Sequence, residues 1–200
     1  RRKSLRQSTM QREPKLLPVR IYGDDILRRK ADNVTDITPE IRDFIQDLIH
    51  TMYLRDGVGL AAPQAGKSIR VFVMDPLWGR EGGEKQPIVL INPNIENPSG
   101  ESENEEGCIS IPGIFANVCR PSRIQYSYTD LEGNRHSASA EGFEAIVIQH
   151  ENDHLDGVLF TDHVGSLVKL KLKRRLRELE KSTVNGENIR YDIYAPDEDE

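Results

Sequence analysis

Gln149-His150-Glu151-Asn152-Asp153-His154 sets two histidines four residues apart with a glutamate beside the first. Upstream runs Glu141-Gly142-Phe143-Glu144-Ala145-Ile146-Val147-Ile148, and downstream comes Leu155-Asp156-Gly157. Phe143, Ile146, Val147, His150 and His154 recur at the i, i+3, i+4 spacing of one helix face. Residues four apart on such a face have Cβ atoms about 5–6 Å apart, so two imidazoles can converge on one metal ion. Glu151 sits about 100° further round, within reach of a metal-bound water without being a ligand. Gly157 suits the left-handed position that ends a helix. A chance match would leave imidazoles unpaired on an apolar face, which is costly. The stretch reads as the H-E-x-x-H arrangement of zinc-type hydrolases.

That pattern supplies two ligands, and the third decides the chemistry. A metzincin protease would continue H-E-x-x-H-x-x-G-x-x-H. Gly157 meets that extension, but Phe160 stands at its last position. Thermolysin-like enzymes take a glutamate from a later helix. Glu178 and Glu180 are available, but their Lys/Arg-rich surroundings read as a solvated face. Upstream, Glu106-Gly107-Cys108-Ile109-Ser110 offers a cysteine. Such a cysteine is usually a small buried hydrophobe. Two histidines on an apolar face need a third donor, however, and a thiolate is a good one. Cys119, between Val118 and Arg120, has no such partner and is expected to be structural.

A chain of 200 residues with 36% hydrophobic content can build one domain with a core. Its net charge of −6 argues against a dedicated nucleic-acid binder, DNA included. The charge is uneven: Arg1, Arg2, Lys3 and Arg6 and the segment Lys169 to Lys181 are basic, whereas Asp197 to Glu200 are acidic. No apolar run approaches the roughly 18 residues that span a membrane. Two cysteines make no disulfide framework, which points to a reducing compartment.

Along the chain, residues 1–16 read as a disordered extension or tag remnant. Residues 1–9 fit a transit peptide equally, with Met10 an alternative start. Val19 to Tyr22 is a short extended piece leading into a helical turn. Thr38 and Pro39 open a helix as N-cap and first residue, with Ile41, Phe44, Ile45, Leu48, Ile49 and Met52 as its buried stripe. In Asp56-Gly57-Val58-Gly59-Leu60-Ala61-Ala62-Pro63-Gln64, small residues let the backbone approach a strand or a ligand. Residues 69–75 and 87–93 read as strands, and residues 124–129 and 136–140 as a hairpin around Asp130-Leu131-Glu132-Gly133. A last helix is expected around 165–182, with Leu167, Leu170, Leu172, Leu176 and Leu179 as an imperfect stripe. Residues 183–200 are left as an acidic tail.

Gly57 to Gln64, Glu106 to Ser110 and Gln149 to His154, in this order, closely resemble the three signature motifs of peptide deformylases. The resemblance runs from about Leu17 to His163, and 17–182 is taken as the catalytic domain. It implies an α+β fold, with mixed β-sheets packed around a central metal-binding helix and a C-terminal helix besides. It also implies removal of the N-formyl group from N-formylmethionyl nascent peptides. Carried over by residue, Cys108, His150 and His154 are the metal ligands and Glu151 the general acid/base. The Gln64 amide and the Ile109 backbone N–H stabilise the oxyanion. Phe143, Ile146, Val147 and Val58 line the methionine pocket, and Gly59 and Gly107 meet the substrate backbone. Three ligands leave a position for a water, which attacks the formyl carbon. The resemblance implies Fe²⁺, with Zn²⁺, Ni²⁺ or Co²⁺ able to substitute; the ligand types alone would indicate zinc. It further implies that the basic segment 169–177 can dock on ribosomes. Phe115 departs from the family, some of whose members carry an arginine near the pocket mouth. The expected location is the cytoplasm, or an organelle if residues 1–9 are a transit peptide. Two rivals remain: a metallopeptidase, and a metal-stabilised binding protein that would need a fourth ligand.

Overall fold

The computed structural model describes residues 12–79 and 83–193. Among them the order is β1 (Val19–Arg20), α1 (Pro39–Leu54), β2 (Gly59–Ala61), β3 (Val71–Met74), β4 (Ile88–Ser99), β5 (Ser102–Cys108), β6 (Ile111–Arg120), β7 (Arg123–Thr129), β8 (Arg135–Glu141), α2 (Gly142–Leu155), α3 (Ser166–Glu180) and β9 (Ile189–Arg190). A five-stranded sheet runs β2-β3-β4-β7-β8, with β5-β6 and β1-β9 as separate pairs. The ladders of all three are antiparallel. The α+β class expected from the sequence is the class observed.

Alternation along β3 explains how one sheet serves two helices. Val71 and Val73 pack with Ile45, Leu48 and Met52 of α1, whereas Phe72 and Met74 pack with Ala145, Val147 and Ile148 of α2. All four residues are fully buried, and each such side chain contributes about 1.5–3 kcal/mol of burial free energy. The Thr38 side chain caps α1 by accepting from the Ile41 N–H at 3.2 Å. On α2, Ala145 to Gln149, Glu151, His154 and Leu155 are all buried, so this helix lies at the centre and not on the surface. Gly157 follows it with φ 72°, and a Cβ there would come within 2.6 Å of the Arg28 carbonyl oxygen. Glycine therefore meets both the turn and the packing requirement. A third cluster joins Ile111, Ile114 and Val118 of β6 to Leu159, Phe160, Leu172 and Leu176.

Several expectations need correcting. Residues 12–16 are not a free extension, because Asp47 on α1 is buried and draws partners from them. Its carboxylate accepts from Arg12 Nη2 and from the Lys15 N–H, both at 2.8 Å. Residues 1–11 and the acidic run 197–200 lie outside the described residues. The tail assigned to 183–200 enters the fold as far as β9. Val184 and Glu187 exchange backbone hydrogen bonds across Asn185 and Gly186, both with positive φ. Asn188 is buried, donating from Nδ2 to Tyr22 O and Leu179 O and from its N–H to Asp24. Strand β4 runs past 93 to Ser99, carried across Pro93 and Pro98 by register shifts against β7. On α3 only Leu172 and Leu176 are buried; Leu167 and Leu170 are 76% and 67% exposed. Cys119 is exposed, because β6 turns alternate residues outward.

Candidate metal centre and active site

Helix α2 presents His150 and His154 one turn apart, and the end of β5 brings Cys108 to meet them. The two imidazole centroids are 5.1 Å apart, and Cys108 Sγ lies 3.3 Å from His154 Nε2. One donor atom from each of the three residues lies within 4.8 Å of the others. His150 Nδ1 is 2.8 Å from Glu106 Oε1, which fixes the ring and leaves Nε2 for the centre. Burial holds His154 well below its usual pKa, so it stands neutral, the form that ligates. One sulfur and two imidazoles, with one side open to a cavity, fit a divalent first-row metal ion; His150, which burial pulls down but Cys108 and Glu106 hold well above its usual pKa, would give up its proton on binding one.

Around these donors lies a network to which the sequence reading assigned no role. Arg120 clamps Glu106 from Nε at 2.6 Å and from Nη2 at 2.9 Å, and its Nη1 reaches Asp153 at 2.9 Å. His163 meets the same Asp153 oxygen at 2.8 Å. Burial works to raise the Glu106 pKa, but bonds from His150 and Arg120 outweigh it and bring it down to about 2. One signal was present: period-2 alternation on β6 turns Arg120 inward with Ala116 and Val118, and a buried guanidinium demands a carboxylate.

Glu151 is 3% exposed, and its Oε2 has no hydrogen-bond partner among the described residues. Burial pushes its carboxyl up to about 7. Gly59 makes room for it, since a Cβ there would sit 2.9 Å from Glu151 Cγ. The Gln64 side chain is oriented by Oε1 accepting from the Ala61 N–H at 2.9 Å. Its Nε2 thereby turns toward Cys108 Sγ at 3.4 Å and Ser110 Oγ at 3.1 Å. A cavity of 540 Å³ opens onto these groups. Val58, Gly59, Gln64, Gly107, Cys108, Ile109, Phe143, Ile146, Val147, His150 and Glu151 line it, so the structure brings these sequence-derived candidates together. His154 lies behind them, 1% exposed. Phe115 also lines the cavity, 60% exposed, with its ring against Gly107.

Residues 16–170 match the family model for polypeptide deformylase. The chain belongs to the polypeptide deformylase family. A peptide deformylase of Salinibacter ruber is 44% identical over 180 residues, covering 86% of this chain and 90% of that protein. The solved peptide deformylase of Thermotoga maritima superposes with a TM-score of 0.70 at 41% identity, covering 76% of this chain and 99% of that one. That of Synechococcus elongatus, solved in complex with actinonin, gives 0.75 at 41%, covering 84% and 89%. Membership makes the chain an enzyme, a hydrolase of the deformylase kind, and sets Cys108, His150 and His154 in a metal-dependent family.

Proposed function

We propose that this chain hydrolyses the N-formyl group of N-formylmethionyl nascent peptides, releasing formate and a free α-amine. The observation that carries the reading is three soft and borderline donors, Cys108, His150 and His154, beside a buried glutamate at an apolar cavity. When bound there, a divalent ion, Fe²⁺ before Zn²⁺, Ni²⁺ or Co²⁺, would supply a Lewis acid that acidifies water and polarises the formyl oxygen. Glu151 would take the proton from the attacking water and deliver it to the departing amine as the C–N bond breaks. A carboxyl near pH 7 suits that double task. The Gln64 Nε2 and the Ile109 N–H would donate to the oxygen that gains charge, a kind of contact whose loss typically costs about 10²–10³ in rate. Val58, Phe143, Ile146 and Val147 would hold the methionine side chain. Gly59 and Gly107 would flank the peptide backbone in strand fashion. Ribosome docking through residues 169–177 would bring the enzyme to emerging chains, in the cytoplasm or in an organelle. No helix among the described residues is long and apolar enough to cross a membrane.

The test is formate release from formyl-Met-Ala peptides by protein loaded anaerobically with iron, with unformylated Met-Ala as control. Glu151→Gln should keep its metal and fold yet lose about 10²–10⁴ in turnover. Turnover within tenfold of wild type would assign the base elsewhere, and cleavage of the unformylated peptide would favour a metallopeptidase.

A further inference from the structure

Ser110 is a hydroxyl residue with 0% exposure, placed directly after Ile109. The two form the turn between β5 and β6, closed by the pairing of Cys108 with Ile111. The Ser110 carbonyl accepts from the Tyr22 N–H at 2.8 Å, which ties the turn to the segment after β1. A hydroxyl buried without a partner is costly. Ser110 Oγ finds one among the described residues, Gln64 Nε2 at 3.1 Å.

The Gln64 amide is held at three points. Its Oε1 accepts from the Ala61 N–H at 2.9 Å, so the NH₂ end must face the other way. That end meets two acceptors, Ser110 Oγ and Cys108 Sγ, the latter at 3.4 Å. The two differ in kind. A hydroxyl oxygen is a good acceptor and sulfur a weak one. Cys108 also lines the cavity, whereas Ser110 does not. The N–H on the sulfur side is therefore the one that an oxygen bound in the cavity can take, at the loss of a weak contact only.

An amide is planar, so fixing its oxygen and one N–H fixes the direction of the other N–H. We propose that Ser110 is a positioning residue for the oxyanion: its hydroxyl holds the Gln64 amide so that the second N–H points into the cavity. The inference deepens the deformylase reading and rests on it. It makes the two donors one unit, because a single turn supplies the Ile109 N–H directly and aims the Gln64 N–H through Ser110. Donors aimed beforehand at developing charge need no reorganisation at the moment of reaction. Ser110→Ala leaves the amide held at Ala61 and Cys108 alone, and that preparation is lost. The cost falls on kcat, since the oxygen gains its charge only in the transition state.

The experiment is a double-mutant cycle on metal-loaded enzyme, with formate release from a formyl-Met-Ala peptide as the assay. Ser110→Ala should lower kcat by about tenfold to a hundredfold and move KM by less than about threefold. Gln64→Leu should cost about 10²–10³. Adding Ser110→Ala to Gln64→Leu should change kcat by less than about twofold, because Ser110 then has no amide to hold. A residue that merely braced the turn would slow the Gln64→Leu enzyme further. A second readout needs no turnover. In zinc-loaded protein the Gln64 side-chain amide protons, identified in NMR spectra by their absence from Gln64→Leu, should exchange with solvent faster in Ser110→Ala. Should Ser110→Ala not fold, Ser110→Gly takes its place in both measurements. Losses that multiply in the double variant, a single variant within about twofold of wild type, or unchanged amide exchange would overturn the role of Ser110 alone. No formate from the wild-type protein would overturn the deformylase reading and the inference with it, and the exchange rates would then report only whether Ser110 holds Gln64.

Discussion

Replacing Arg120 with methionine would test whether the buried ion network, and not the metal ligands alone, holds the centre in shape. Methionine keeps most of the length and apolar stem but removes both bonds to Glu106 and the one to Asp153. Glu106 and Arg120 side chains are each 5% exposed, so the carboxylate would be left buried with His150 as its remaining partner. Breaking a buried pair by removing one member costs about 3–5 kcal/mol, much of it the stranded charge. The pH dependence takes its sign from Glu106, whose carboxyl sits at about 2 in the fold against an ordinary 4.5. Its contribution is present above the unfolded value and is lost as pH falls from there through about 2. The penalty in Arg120→Met should therefore be full at pH 7 and shrink on acidification. Glu106 also orients His150, so metal affinity should drop by about 10–100-fold. Urea unfolding at several pH values and competition with a chelator measure the two effects. The double variant Arg120→Met/Glu106→Gln removes the stranded charge and should recover part of the loss. A single variant within about 1 kcal/mol of wild type, or a double variant that is simply additive, would refute the argument.

Cys108→Ala should lose most bound metal and Cys119→Ala should keep it, since Cys119 faces solvent; near-equal metal by elemental analysis would sink the ligand assignment. Gly59→Ala places a Cβ against Glu151, and a displaced base should lower kcat by about 10² with metal content unchanged. Wild-type kcat with alanine at 59 would mean that Glu151 has room to move. For α3, Lys171, Lys173, Arg174 and Arg177 are the cations to reverse, because Arg175 is tied to Gly113 O. Reversal to Glu should abolish salt-sensitive co-sedimentation with ribosomes, and unchanged sedimentation would make the helix structural only. Removing the acidic tail should tighten that binding, provided the cut falls after Ile193, so that β9 and Asn188 remain.

The parts of the fold that could be read from the sequence are those in which local chemistry and tertiary role coincide. Thr38-Pro39 caps a helix wherever it is placed, and Asp130-Leu131-Glu132-Gly133 turns a hairpin without help. Helix α2 announces its histidines by spacing, and Cys108 answers their need for a third donor. Arg120 is hidden for the opposite reason. Beside Cys119 it looks like a surface cation, and only strand pairing with β5 and packing on α2 reveal a buried clamp. Asn185-Gly186 is a turn signal in its own right, masked by the acidic residues downstream that suggest a tail. The same turn sends the chain back along β1 and delivers Arg190 to the cavity wall. Arg12 and Lys15 likewise find a partner in Asp47, on a helix that the sequence places far away. Long-range satisfaction of buried charge therefore decides what periodicity cannot, at Arg12 and Lys15 beside Asp47, at Asn188 beside Asp24 and around the metal ligands alike.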